Sequence, residues 1–301
     1  MERSAVPYGH AVPEDGVSPE VGLSRAFFPG RSKTMPLPGR IYYNRGMNPS
    51  LQQAVLEKWK RYFGAAELPL GLFYTDDAVY AEFPPRASKL RGQDERCVIS
   101  RLLAARDGET VVFSKETVGC QGGARYAGYS TAMGPKFKYF LSCGIPGVMK
   151  GERYKKTPEI VEQLNREAAP PPAPAAFLVF KRWDTIAAAE EPAAVVVFAE
   201  PDTLAGLFTL ANFRGTDPFS VITPFSAGCG SIIAYPLLEA ARPDPRGVIG
   251  MFDPSARPYV GRTALSFAAP WRKFLEMAED MDESFLITPT WDRIRKRMGA
   301  L

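Results

Sequence analysis

The chain reads as an α+β protein, with two fused pseudo-repeats of short strands and helices sharing one core behind a flexible N-terminal arm. Three observations predict this. The stretch running from Thr110 through hydroxyl residues to Gly119-Cys120 is echoed by the stretch from Phe219 to Gly228-Cys229, and a tyrosine, Tyr126 or Tyr235, follows each cysteine at the same spacing. Two further anchors recur in the same order: Leu141-Ser142 to Pro146 matches Leu265-Ser266 to Pro270, and Thr157-Pro158 matches Thr288-Pro289. Short β-branched or aromatic runs also alternate with helical stretches throughout. Duplicated halves that meet at matched loops are a place to hold a ligand or metal.

The elements follow in order. Residues 1–33 are polar, punctuated by Pro and Gly and without periodicity, and are expected to form an arm or disordered tail. Residues 34–167 then form the first pseudo-repeat with its leading helix. Asn48 and Pro49 open that helix, Leu51, Val55, Trp59 and Phe63 give it one apolar stripe, and Gly64 ends it. Strands are expected over 70–74 and 78–83, a helix over 97–106 with Cys97 in its first turn, and a strand over 110–113. A helix follows Cys120, and residues 137–142 read as a strand that ends at Cys143. Residues 168–176, with three successive prolines, form a stiff extended linker. The second pseudo-repeat, 177–301, carries strands over 177–181, 194–199, 219–223, 248–252 and 264–267. Helices are expected over 203–213, 270–280 and after Pro289.

Composition limits the function. With 301 residues, 46% apolar and 23% charged, the chain is long enough for a large core, and a net charge of +4 does not call for nucleic acid. No apolar run reaches the roughly 18 residues of a membrane span, and no secretory signal opens the chain, so a cytoplasmic location is expected. The only histidine is His10, in the tail. Histidine-based catalysis, a His-rich zinc site and a His-ligated haem are therefore disfavoured.

Four cysteines remain: Cys97, Cys120, Cys143 and Cys229. None forms a C-x-x-C pair, so zinc-ribbon chemistry has no signature, and a reducing compartment argues against disulfides. Cys120, Cys143 and Cys229 each adjoin glycine and are expected at strand ends, where backbone can approach a bulky inorganic core. Thiolates without imidazole favour an iron–sulfur cluster, with zinc as runner-up. The bland alternative is that each cysteine is a small buried apolar residue.

Beyond Cys120, Gly122, Gly123, Arg125 and Tyr126 offer glycine-rich backbone, a guanidinium and a phenol; with Gly230 they are the candidate ligand contacts, Arg125 for an acidic substrate and Arg101 as second choice. A tight turn with close helix packing explains the same glycines more simply. Lys136, Lys138, Lys150, Arg153, Lys155 and Lys156 alternate with aromatics, a pattern that fits an exposed strand face better than a nucleic-acid surface.

Through Gly-Cys120-Gln-Gly-Gly, Leu-Ser-Cys143-Gly and Gly-Cys229-Gly, the chain resembles the bacterial and archaeal "domain of unknown function 169" family over about residues 50–300. The resemblance implies a shared fold and no activity. The residues themselves lead to a leading expectation: a four-iron cluster held by the four cysteines where the repeats meet. It would serve electron transfer or a reaction on a small anionic substrate, with a small molecule or a redox protein as partner and no membrane. The alternative is a metal-free module that clamps a small ligand between the two Gly-Cys loops.

Overall fold

A computed structural model describes residues 47–64, 66–83 and 97–299. The N-terminal arm and His10 lie outside them.

Helix α1 (Pro49–Phe63) begins where the Asn48 side chain accepts the Ser50 and Leu51 amides, with Pro49 in the first turn. It buries Val55, Trp59, Tyr62 and Phe63. Strand β1 (Leu70–Thr75) follows, then a 3-10 turn (Ala78–Glu82), α2 (Val98–Arg106), β2 (Val111–Phe113) and α3 (Gln121–Tyr126). Next come the short helix α4 (Phe137–Phe140), the two-residue strands β3 (Gly144–Ile145) and β4 (Met149–Lys150), and α5 (Pro158–Glu167). The rest of the chain forms β5 (Phe177–Arg182), β6 (Ala194–Ala199), α6 (Pro201–Ala211), β7 (Val221–Ile222), a π-helical turn (Gly230–Ala234) and α7 (Tyr235–Ala240). It closes with β8 (Gly247–Gly250), β9 (Leu265–Pro270), α8 (Trp271–Asp280) and α9 (Pro289–Arg297). The protein is α+β.

One seven-stranded sheet, in the order β2-β5-β1-β6-β9-β8-β7, runs through both halves. All neighbours pair antiparallel except β7 with β8. Strand β6, Ala-Val-Val-Val-Phe-Ala, is buried along its whole length, as an uninterrupted apolar run should be when both faces are covered. Its alternate residues serve two cores. Val195 and Val197 pack with α1, α6, α8 and α9, while Val196 and Phe198 pack with α2 and the π-turn. A third, small cluster of Phe73, Tyr80, Val112 and Val179 lies under the 3-10 turn.

The structure corrects two expected strands. Of residues 78–83, Ala78–Glu82 form a 3-10 turn, because the Asp77 side chain captures the Val79 amide and closes a local turn in place of a ladder. Residues 137–140 form α4, so the alternation of lysines with aromatics there is not a strand face. Its Phe140 and Leu141 amides close onto the carbonyls of Lys136 and Phe137, and the Ser142 hydroxyl bonds back to the Lys138 carbonyl. Cys143 accordingly follows a helix and not a strand.

The internal similarity holds in part. Thr157 and Thr288 both cap helices that begin with proline, each accepting the backbone N–H three residues on. The Leu141 and Leu265 segments diverge: the second is strand β9 with Phe267 buried, and the first is a turn leading to β3 with Cys143 exposed. The proline-rich stretch 168–176 is fastened down. The Ala173 amide bonds Gly128 O at 2.9 Å and the Ala176 amide bonds Asp76 at 2.8 Å.

Candidate functional site

Two Gly-Cys segments reach the same face of the sheet from opposite edges. One follows edge strand β2 and enters α3, and the other follows edge strand β7 and enters the π-turn. Helix α3 packs against that turn. π-Helical turns are rare and cluster at functional sites. Cys120 is in extended conformation and caps α3, its sulfur accepting the Gly123 amide at 3.1 Å. Cys229 is already helical and fully packed, so the matched cysteines occupy different local structures.

Two of the other thiols, Cys97 and Cys120, lie within electrostatic range of Cys229. Burial pushes the Cys229 thiol well above its ordinary range, and the nearby Cys120 and Cys97 sulfurs, then the Asp253 carboxylate, push it the same way. Cys97 sits at the amino end of α2 and packs on the same apolar cluster as Cys229. Cys143 is exposed, and its thiol makes a long contact to the Gly144 carbonyl. Among the described residues, no three His, Cys, Asp or Glu side chains converge closely enough to hold a single metal ion.

The other candidates separate. Tyr126 stands near Cys229: its phenol is raised strongly by burial, then by Cys229 and by Tyr235, its repeat-matched counterpart. Gly230 is glycine for packing, since a Cβ there would lie 2.9 Å from the Tyr126 ring. Gly123 is likewise packed, its Cβ position 2.9 Å from the Cys120 sulfur and 2.8 Å from Val98. Gly122 differs, facing open space. Arg125 is turned to a structural task, its guanidinium bonding the Thr131 and Asn165 carbonyls at 3.2 and 2.7 Å. Arg101 is buried against the Phe113 ring and bonds the Val112 carbonyl, and burial lowers its pKa.

The space between the loops is filled by Tyr126; the opening lies beside them. A cavity of about 350 Å³ is lined by Cys120, Gln121, Gly122, Lys136, Phe140 and Met149 among others. Of these, Lys136, Phe140 and Met149 escaped the sequence reading as site residues, because only the fold carries α4 and the β3–β4 hairpin to Cys120. Asp253 and Met251 were also missed. Asp253 holds the Gly228 amide at 3.2 Å, and Met251, buried with φ +67°, packs its thioether on Gly228. A left-handed methionine has no sequence signal.

The model of the domain of unknown function 169 family, described as uncharacterised ArCR, matches residues 60–280. The chain belongs to this family. All three clustered cysteines, the π-turn and the cavity lie within the matched region. No curated protein and no solved structure matches the chain. Among the described residues no helix is long and apolar enough to cross a membrane.

Proposed function

We propose that the chain is an iron–sulfur protein whose cluster is held by Cys97, Cys120 and Cys229. It would act in electron transfer or in a reaction on a small anionic substrate beside the cluster. The observation that carries this reading is that Cys97 and Cys120, from separate segments, lie within electrostatic range of the buried Cys229 thiol, Cys97 packing on the same apolar cluster. Thiolates so placed repel one another, and a cationic inorganic core relieves both the repulsion and the burial.

The spacing bears on which core. A single zinc ion at about 2.3 Å from each sulfur draws its ligands to a point. A four-iron cluster carries its thiolates on different irons, farther apart. The cluster is preferred over zinc here because thiolates without imidazole are soft ligands; among the described residues no three such side chains are grouped to hold a metal ion. When bound, the cluster supplies one-electron chemistry or Lewis acidity. The protein's own part is to wrap the sulfurs in apolar side chains and to direct amides at them, as Gly123 N–H does at Cys120. With Cys143 outside the set, Cys97, Cys120 and Cys229 would hold the cluster and any further ligand would come from outside these thiols. Gly122, Gln121 and the Lys136 ammonium line the adjoining cavity, where a small anion finds a positive charge. A metal-free anion site in that cavity is the second reading, favoured by its existing opening.

Anaerobic purification with iron, sulfide and zinc analysis separates these readings. Roughly four irons and a brown chromophore are expected, lost in Cys97→Ser, Cys120→Ser and Cys229→Ser but kept in Cys143→Ser. A colourless, iron-free protein in every preparation overturns the cluster.

A further inference from the structure

The cavity beside Cys120 has an apolar wall and a single charge. Lys136 is the one charged side chain among the described residues that line it. It joins no ion pair among the described residues, whereas Lys138 is held by Glu162. Phe137, Phe140 and Met149 supply two rings and a thioether to the same wall. Arg125, the residue expected to meet an acid, is committed to the Thr131 and Asn165 carbonyls, so Lys136 is left to do so.

Local structure holds each of these groups. Phe137 and Phe140 are three residues apart on α4 and so share a face, their ring centres 6.3 Å apart and tilted by 35°. The Glu152 amide bonds the Phe140 carbonyl at 2.7 Å and the Arg153 amide bonds that of Ser142 at 3.0 Å, which fastens the segment after β4 to α4. The β3–β4 hairpin just before that segment brings Met149 to the wall. From α3, Gly122 leaves the cavity room, since a Cβ there would have no atom within 4 Å. The Gln121 amide lies over Gly134, its nitrogen 3.1 Å from where a Cβ would stand.

We propose that the cavity binds a small aromatic carboxylate, an inference that rests on reading the cavity as an anion site and names the class of anion. The carboxylate meets the Lys136 ammonium, and the ring lies among Phe137, Phe140 and Met149. A lone cation selects the sign of the ligand. The rings and the thioether select its body, because aromatic pairs and sulfur–ring contacts add attraction to plain apolar burial. A volume of about 350 Å³ is at the small end of ligand cavities, which suits one ring and not a cofactor-sized molecule. Inorganic phosphate fits less well. It has nothing to offer an apolar wall, and a lysine meets it only as a point charge. No metal enters into this binding.

Titration calorimetry on the full chain as isolated tests this, with phenylacetate, phenylacetamide, cyclohexylacetate and inorganic phosphate as probes. Phenylacetate is expected to bind about threefold more tightly than its neutral amide, the margin of one exposed ion pair, and Lys136→Gln to remove that margin. Phe140→Ala should weaken the acid and the amide alike, about fivefold. Gly122→Leu should abolish binding of both by filling the space that the glycine leaves. Circular dichroism confirms that each variant folds. Cyclohexylacetate bound as tightly as phenylacetate would overturn the aromatic class. Phosphate bound through Lys136, with no gain from a ring, would overturn the proposal and leave the anion site standing. No binding of any probe overturns both, and phenylacetate binding unchanged in Phe140→Ala and Gly122→Leu overturns the cavity as its site.

Discussion

Buried with Ile232, Ile233 and Met251, the Cys229 thiol has almost no water and three acidic neighbours. Its raised pKa keeps it protonated, and so weakly nucleophilic, at neutral pH. Cys143 is exposed to solvent. Iodoacetamide at pH 7.5 on metal-free protein should therefore label Cys143 first and Cys229 last, read by peptide mass mapping. Labelling of Cys229 should keep accelerating as the pH rises past the ordinary thiol value of about 8.5, where an unperturbed thiol levels off. Equal rates at both sites would contradict the packing around Cys229. The same burial explains why glycines flank the cysteines: at Gly123 and Gly230 a methyl would strike Val98 or Tyr126, so these residues serve close approach before any ligand.

Two connections between elements bear on stability. Gly128, with φ +77°, ends the turn after α3, and a Cβ there would lie 2.3 Å from the Ala173 amide of the proline-rich stretch. Gly128→Ala combines a left-handed alanine with a backbone clash, and should cost about 2 kcal/mol or more, measured from urea unfolding. The second connection joins α1 to the turn after α8. Asp282 accepts from Lys58 at 2.9 Å and from the Tyr62 hydroxyl at 2.8 Å. The Lys58 contact, then the Tyr62 bond, hold its carboxyl below the usual range. A depressed carboxyl stabilises the fold above its unfolded value of about 3.9, and that contribution is lost as pH falls through the folded value. Asp282→Asn should thus be less stable than the parent at pH 7 and converge with it below about pH 4. A constant difference across that range would refute the linkage.

The sheet order makes the two halves one folding unit. Strand β5 comes after the proline-rich stretch, yet it lies between β2 and β1 from before it, pairing Val179 with Val112 and with Phe73. A fragment ending at residue 167 lacks the strand that joins β1 to β2. It should show no cooperative thermal transition by circular dichroism, and co-expression with 168–301 should restore one. Independent folding of the fragment would mean that its strands pair without β5. The same architecture brings the two edge-strand loops across one face, and the thiol site exists only where they meet.

What the residues determined alone is local. The Asn48 cap and stripe of α1, the Thr-Pro starts of α5 and α9, the two-faced burial of β6 and the helix begun at Cys97 follow from groups within a turn or two of one another. The short motifs around the cysteines carried the family resemblance as well. Where the side-chain pattern was ambiguous, as at 78–83 and 137–142, a single cap or turn hydrogen bond tipped the backbone the other way. Only the tertiary structure decided that Cys97 and Cys120 come within electrostatic range of Cys229 while Cys143 faces water, that Arg125 props up carbonyls, and that Lys136, Phe137 and Phe140 line the cavity beside Cys120. Those outcomes depend on which strands pair across the whole chain, and such long-range pairings leave no mark on the spacing of neighbouring residues.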